Sequence, residues 1–202
     1  NTGDNNVAVG SQSGFNNTTG TITAVGYQSL YYNTTGDRNT AIGYESLKAN
    51  VTGSYNTSVG YQSLCKNTIG KRSVAVGYHA LHSNTTGNDN VAVGQDALAT
   101  NTIGNYNTAL GYYALRYNTT SEKNTAVGYH ALHSNTTGNQ NTAVGSQALQ
   151  LNTTGYQNIG VGYYALYNNT IGIKNTAVGK SALFSNTTGN NNTAIGYESL
   201  KA

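Results

Sequence analysis

The chain's four histidines fall in two copies of one phrase, Tyr78–His82 and Tyr129–His133, each reading Tyr-His-Ala-Leu-His. Imidazoles three residues apart could ligate a metal or move protons. A metal site needs three or four converging donors, and no carboxylate or thiolate recurs beside either pair. Ordinary surface imidazoles are the reading these residues favour; a histidine column shared between copies of the chain is the one arrangement that would add a third donor. Tyr27, Tyr44, Tyr61, Tyr78, Tyr112 and Tyr129 share a second regularity, all following a glycine of an Ala-Val-Gly-like phrase. A stripe of tyrosines could bind the apolar faces of sugar rings or another protein. More often such a column is a ladder that packs along the molecule or at a subunit seam, and that is the reading favoured here. Cys65 is the only cysteine, so one chain builds neither a disulfide nor a thiolate metal site.

These residues are placed by a repeat. Setting the glycine that closes the phrase as position 0, it recurs at Gly10, Gly26, Gly43, Gly60 and onward to Gly196, every seventeen residues except for a first step of sixteen. A second glycine follows at position 10, with Ser121 the sole substitute, and the missing residue lies between Gly20 and Gly26. Twelve units fill residues 1–202, which read as a single repeat domain and as a segment of a longer fibrous protein. A fixed short period marks a solenoid, each unit one coil stacked on the last. Two glycines and an Asn-Thr pair in every seventeen residues would break helices, whereas "NTAVG" is short, β-branched and bounded by Asn and Gly. The expected fold is all-β, a parallel β-solenoid (a β-roll) of twelve coils at about 4.8 Å each, a rod of roughly 58 Å.

Individual positions then acquire roles. Position 4 is Leu in eleven units, and with the Val, Ile or Leu of position 16 it is expected to fill the interior. Position 2 holds His79, Glu45, Asp96 and Tyr113, so a bend must turn it outward. Position 7 is Asn throughout: Asn33, Asn50, Asn67, Asn84, Asn101, Asn118, Asn135, Asn152, Asn169 and Asn186. Stacked identical amides can hydrogen-bond along the rod and satisfy a turn that has no strand partner. Position 13 repeats the device from Asn39 to Asn192. Many of these asparagines begin formal glycosylation acceptors, such as Asn33, Asn84 and Asn135; the ladder explains them better, since Asn67 and Asn101 recur without a complete acceptor. Ranks of Thr at positions 8 and 9 suggest ordering of ice-like water, but Ile69, Ile103 and Ile171 interrupt them.

Composition narrows the function. Charged residues are only 8% and the net charge is +3, spread along the chain, so nothing resembles a phosphate-neutralising stripe and nucleic acid is not an expected partner. Stacked like charges would repel at the coil spacing, which accounts for their scarcity; Arg72 sits one coil before Asp89. No apolar run is long enough to span a bilayer, so this segment is not expected to insert in a membrane. Catalysis needs unlike residues to converge, while a solenoid repeats like residues along each column. Neither enzymatic activity nor a cofactor is expected.

Position 15 is Ala in ten units, with Ser58 and Gly160 as exceptions. If position 16 points inward, position 15 faces out, and its small size points to close approach by another surface. Self-association follows as the expectation, with tight packing inside one coil as the alternative. "NTAVGYHAL", "NVAVGQDAL" and "NTAIGYESL" resemble the YadA-like head repeats of trimeric autotransporter adhesins, and similar arrays occur in bacterial surface fibres and in phage tail fibres with an endosialidase-type chaperone domain. The likeness spans the whole chain and departs from the adhesin pattern in its longer unit with an inserted "NTTG" arm. It implies a homotrimer serving as the head or shaft of an extracellular, cell-surface fibre that mediates attachment to a surface glycan or protein receptor. A virion tail-fibre shaft is the alternative, and a carbohydrate-binding module using the tyrosine stripe a second one.

Overall fold

The computed structural model describes residues 5–201. Twelve short strands form one parallel sheet in chain order: β1 (Val7–Val9), β2 (Ile22–Val25), β3 (Asn39–Ile42), β4 (Thr57–Val59), β5 (Val74–Val76), β6 (Val91–Val93), β7 (Thr108–Leu110), β8 (Thr125–Val127), β9 (Thr142–Val144), β10 (Ile159–Val161), β11 (Thr176–Val178) and β12 (Thr193–Ile195). From β2 onward each strand residue pairs with the one seventeen later, as Thr108, Ala109 and Leu110 do with Thr125, Ala126 and Val127, while β1 pairs with β2 at the shorter step of sixteen, Val7 with Thr23. The twelve strands span about eleven turns of a parallel β-solenoid, and the described residues contain no helix.

Between strands the chain bends by residues in the left-handed region. Position 0 is Gly with φ of 130–136° in the central coils; positions 2, 4 and 12 reach φ near 50–60° with ordinary side chains, for example Tyr113 at 59°, Leu115 at 49° and Tyr106 at 59°. Such values are costly for a non-glycine residue and persist only where the surroundings fix them. Here the neighbouring coils do so through backbone bonds: Gly128 N–H donates to the Leu110 carbonyl at 2.8 Å, His130 to Tyr112 at 3.0 Å and Leu115 to Ala131 at 3.0 Å. At Gly43 the glycine is needed twice over, since φ is 132° and a Cβ would run into the Gly60 backbone one coil on.

The interior differs from the expectation drawn from the β-branched residues. Position 15 points inward: Ala41, Ala75, Ala92, Ala109, Ala126 and Ala143 are fully buried, while Ile42, Val93, Leu110 and Val144 at position 16 are exposed. The core is built from position 15, from Ala or Ser at position 3 and from Leu at position 4, all continuous along the rod. The cause is thickness. The position-4 leucine spans the narrow coil and meets the sheet directly, so that a Cβ added at Gly160 would lie 3.3 Å from Cγ and Cδ1 of Leu149. Only a small residue fits opposite it, and the strand's two-residue period then sends positions 14 and 16 out together. The small residue reports packing within one coil.

Local exceptions carry their own compensation. Gly14 replaces leucine at position 4 in the first coil, and the Ile22 side chain fills that space, its Cδ1 2.8 Å from where a Gly14 Cβ would stand. Ser58 replaces alanine at position 15 and finds Ser46 Oγ at 2.8 Å and Ser63 Oγ at 2.5 Å, so the buried hydroxyls satisfy one another.

Candidate functional surfaces

Position 7 lies at a turn with no strand partner, and its amides form a continuous buried chain. Asn101 Nδ2 donates to Asn84 Oδ1 at 2.9 Å and to the Gly104 carbonyl at 3.1 Å, and Asn118 Nδ2 donates to Asn101 Oδ1 at 2.8 Å. The same arrangement joins Asn33, Asn50, Asn67 and Asn84, and continues through Asn135, Asn152, Asn169 and Asn186. Position 13 works differently. Asn107 Oδ1 accepts from the Asn124 backbone N–H at 3.1 Å, and Asn107 Nδ2 donates to the Ser121 carbonyl at 2.8 Å. Position-10 carbonyls thus receive donors from both asparagine columns. A side chain at position 10 has no room: a Cβ at Gly53 would collide with Asn50 Oδ1 and the Gly70 carbonyl oxygen. Ser121 is tolerated because its hydroxyl joins the ladder, donating to Asn118 Oδ1 and accepting from Asn124 Nδ2.

This geometry bears on the acceptor motifs and the threonine ranks. A ladder Nδ2 whose two hydrogens are donated inside the coil offers nothing for a sugar to be attached to once the chain is folded. The position-8 threonine hydroxyls donate to carbonyls one coil on, as Thr85 Oγ1 does to Thr102 at 3.0 Å. They serve the coil rather than a water lattice.

The tyrosine stripe is exposed and stacked. Tyr27, Tyr44, Tyr61 and Tyr78 form four consecutive near-parallel rings with centroids 5.2, 5.1 and 5.3 Å apart. Gln95 interrupts them, and Tyr112 and Tyr129 resume at 5.6 Å.

Both His pairs lie at positions 2 and 5, where the bend brings residues three apart together. The His79 and His82 rings are 4.8 Å apart and those of His130 and His133 4.6 Å. His79 Nε2 contacts Gln62 Oε1 at 3.0 Å, Gln62 donates to Glu45 at 2.6 Å, and Asp96 Oδ1 stands 3.8 Å from His79 Nδ1. Burial, then the neighbouring His79, holds His82 below the usual histidine range. His133 is pushed down to about 4 by burial first, then by His130 and Arg116. Among the described residues no three His, Cys, Asp or Glu side chains are grouped to hold a metal. Burial raises the Cys65 thiol, which leaves it less reactive than a free thiol.

Sequence reasoning marked the two histidine pairs but missed what surrounds the second. Tyr113, Arg116 and Tyr117 gather beside it, with the Arg116 guanidinium 4.2 Å from the Tyr113 ring centre and 5.3 Å from that of Tyr117. The missing signal was that positions 2 and 5 are neighbours, which depends on the left-handed bend between them. Arg72 holds Asp89 one coil on with contacts of 2.6 and 2.8 Å, whereas Lys48 binds Glu45 and Lys201 binds Glu198 within one coil. No helix among the described residues is long and apolar enough to cross a membrane. Comparisons with protein-family models, with curated proteins and with solved structures found no match for this chain.

Proposed function

We propose that this chain is a stiff segment, head or shaft, of an extracellular fibre assembled from three copies, which mediates surface attachment and has no catalytic role. The observation that carries the proposal is the outer face of the sheet. Positions 14 and 16 line it with Thr, Val, Ile and Leu from β1 to β12 and hold no charge, and on a single chain Ile42, Val93, Leu110, Val144 and Ile159 stay exposed. An uncharged apolar face running the length of a rod, with the charges confined to other faces, is suited to burial against another surface. A second and a third copy of the chain are the occupants whose repeat matches it along the whole length, coil for coil. The resemblance of "NTAVGYHAL" to adhesin head repeats supports the same number of copies.

Stiffness comes from the asparagine ladders and the coil-to-coil backbone bonds, and repeated surface positions provide many weak contacts at once. The stacked tyrosines favour a carbohydrate as the second reading, since exposed parallel rings offer apolar platforms. Light scattering tests the assembly. Three copies of the 21.2 kDa chain give about 64 kDa, and a lysine pair on the face, Val76→Lys with Val93→Lys, should return the protein to monomers with the same circular dichroism. A wild-type molar mass of one chain at micromolar concentration would refute the proposal.

A further inference from the structure

The described residues contain two buried side-chain polar atoms without a hydrogen-bond partner, His130 Nδ1 and Gln150 Oε1. Both lie in the same short stretch of the rod. Gln150 occupies position 5 one coil beyond His133, and Arg116 occupies it one coil before. The Arg116 guanidinium has only aromatic partners, Tyr113 and Tyr117, and no carboxylate of the described residues lies within ion-pair distance of it. The other two arginines each have a carboxylate, Arg38 with Asp37 at 3.5 Å and Arg72 with Asp89 at 2.6 Å, and Lys48, also at position 5, binds Glu45 at 2.7 Å. Exposed rings of Tyr112 and Tyr129, stacked at 5.6 Å, border the cluster.

We propose that the Arg116, His130, His133 and Gln150 patch, flanked by Tyr112 and Tyr129, binds an acidic saccharide bearing a carboxylate on its ring. Each unfilled valence matches one part of such a ligand. The carboxylate suits a guanidinium already held flat by two rings. Both orphan atoms are enclosed by protein in the unliganded chain, so ring hydroxyls reach Gln150 Oε1 and His130 Nδ1 once the Gln150 amide and the His130 ring turn outward about their side-chain bonds. The apolar sugar face suits the tyrosine pair. A neutral sugar would leave Arg116 unmatched, and a simple anion would leave the amide and the rings unused.

The proton linkage has a definite sign. The patch holds its own imidazoles neutral: burial, then Arg116, lowers His130, and burial, His130 and Arg116 lower His133. The rings of Tyr112, Tyr113, Tyr117 and Tyr129 pack against the two imidazoles, and Ser134 Oγ stands 3.4 Å from His133 Nδ1. In the same columns Asp96 lies one coil before Arg116, and the uncharged Gln147 and Gln150 one coil after the histidines. A bound carboxylate stabilises imidazolium, so binding raises both histidines and strengthens as pH falls from 7.5 to 5.5.

This assigns a ligand class to the attachment role proposed above and rests on that role. Assembly is read by molar mass and the site by titration, so the two fail separately. The test titrates the assembled protein with a glucuronate-containing tetrasaccharide and with cellotetraose, following the imidazole signals of His130 and His133 by NMR at pH 5.5 and 7.5. The expected result is saturable binding of the acidic sugar, tighter at pH 5.5, with cellotetraose at least about tenfold weaker. Arg116→Gln and Tyr129→Ala should each weaken it by about tenfold, while Arg72→Gln and Tyr44→Ala leave it unchanged, all with wild-type circular dichroism. Absence of saturable binding, equal binding of cellotetraose, or equal loss in Arg72→Gln would overturn the proposal.

Discussion

Replacing Asn101 by alanine tests whether the position-7 ladder stabilises the rod. Asn101 is fully buried in the middle of the chain and its side chain takes part in three hydrogen bonds. The Gly104 carbonyl keeps a second donor, Asn90 Nδ2 at 2.8 Å. Asn84 Oδ1 loses its donor, and one N–H of Asn118 loses its acceptor. A buried polar group left unsatisfied costs about 1–3 kcal/mol. Two such groups give about 2–6 kcal/mol, and a water entering the vacated space brings the expectation to about 3 kcal/mol. Asn186, half-buried near the end of the rod, donates at 2.9 Å to Asn169 and at 3.2 Å to Gly189. Its truncation orphans one acceptor, Oδ1 of the buried Asn169, and uncovers that atom to water at the end of the ladder, so it should cost less than about 1 kcal/mol. Urea unfolding followed by circular dichroism measures both variants. Because solenoid coils interact chiefly with their neighbours, amide exchange should accelerate most in the coils flanking residue 101. A loss below about 0.5 kcal/mol for Asn101→Ala, or equal losses at the two sites, would refute a stabilising ladder.

Further outcomes follow from the same structure. Ala109→Val adds two methyl groups in contact with the leucine column and should cost about 1–3 kcal/mol in thermal or urea unfolding, whereas Val127→Ser, facing out, should spare the single chain and weaken assembly. Gly43→Ala places a Cβ against the Gly60 backbone at φ 132° and should destabilise by at least about 2 kcal/mol by urea unfolding. Ser58→Ala restores the commoner residue at position 15 and should change stability by less than about 1 kcal/mol, since Ser46 Oγ keeps the residue-58 carbonyl and Ser63 Oγ keeps the Gly60 carbonyl. His133, whose pKa is about 4 when folded against an ordinary 6.5, contributes stability that is complete above pH 6.5 and is lost as pH falls towards 4. Discounted for its half-exposed position, that loss is about 1–2 kcal/mol, and His133→Gln should remove it from a pH series of urea midpoints.

The periodicity made much of this legible. Seventeen-residue spacing places Leu115 over Leu132 and Asn101 over Asn118, because identical side chains at a fixed interval satisfy one another when stacked. Facing direction was not legible in the same way. β-branched residues in a strand ordinarily turn to the core, yet this coil is a single leucine thick, so alanine takes the inside and Val, Ile and Leu the outside. Nor could composition reveal the Arg116 patch. Positions 2 and 5 become neighbours only because Leu115 and Tyr113 adopt left-handed φ, a conformation their residue types do not advertise. Two roles assigned to one glycine type also needed coordinates: Gly43 serves a bend, and Gly53 serves the close passage of an asparagine amide.

The account depends above all on residues seventeen apart lying one above another. Pulsed electron resonance between spin labels on position 1, in a Cys65→Ser background diluted with unlabelled chain, measures this directly. Labels at residues 27 and 61, 27 and 129, and 27 and 197 lie two, six and ten coils apart. Their separations should rise linearly by about 4.8 Å per coil, to about 48 Å for the last pair. Separations that do not grow in proportion to the number of coils would contradict the stacked register and every surface built on it.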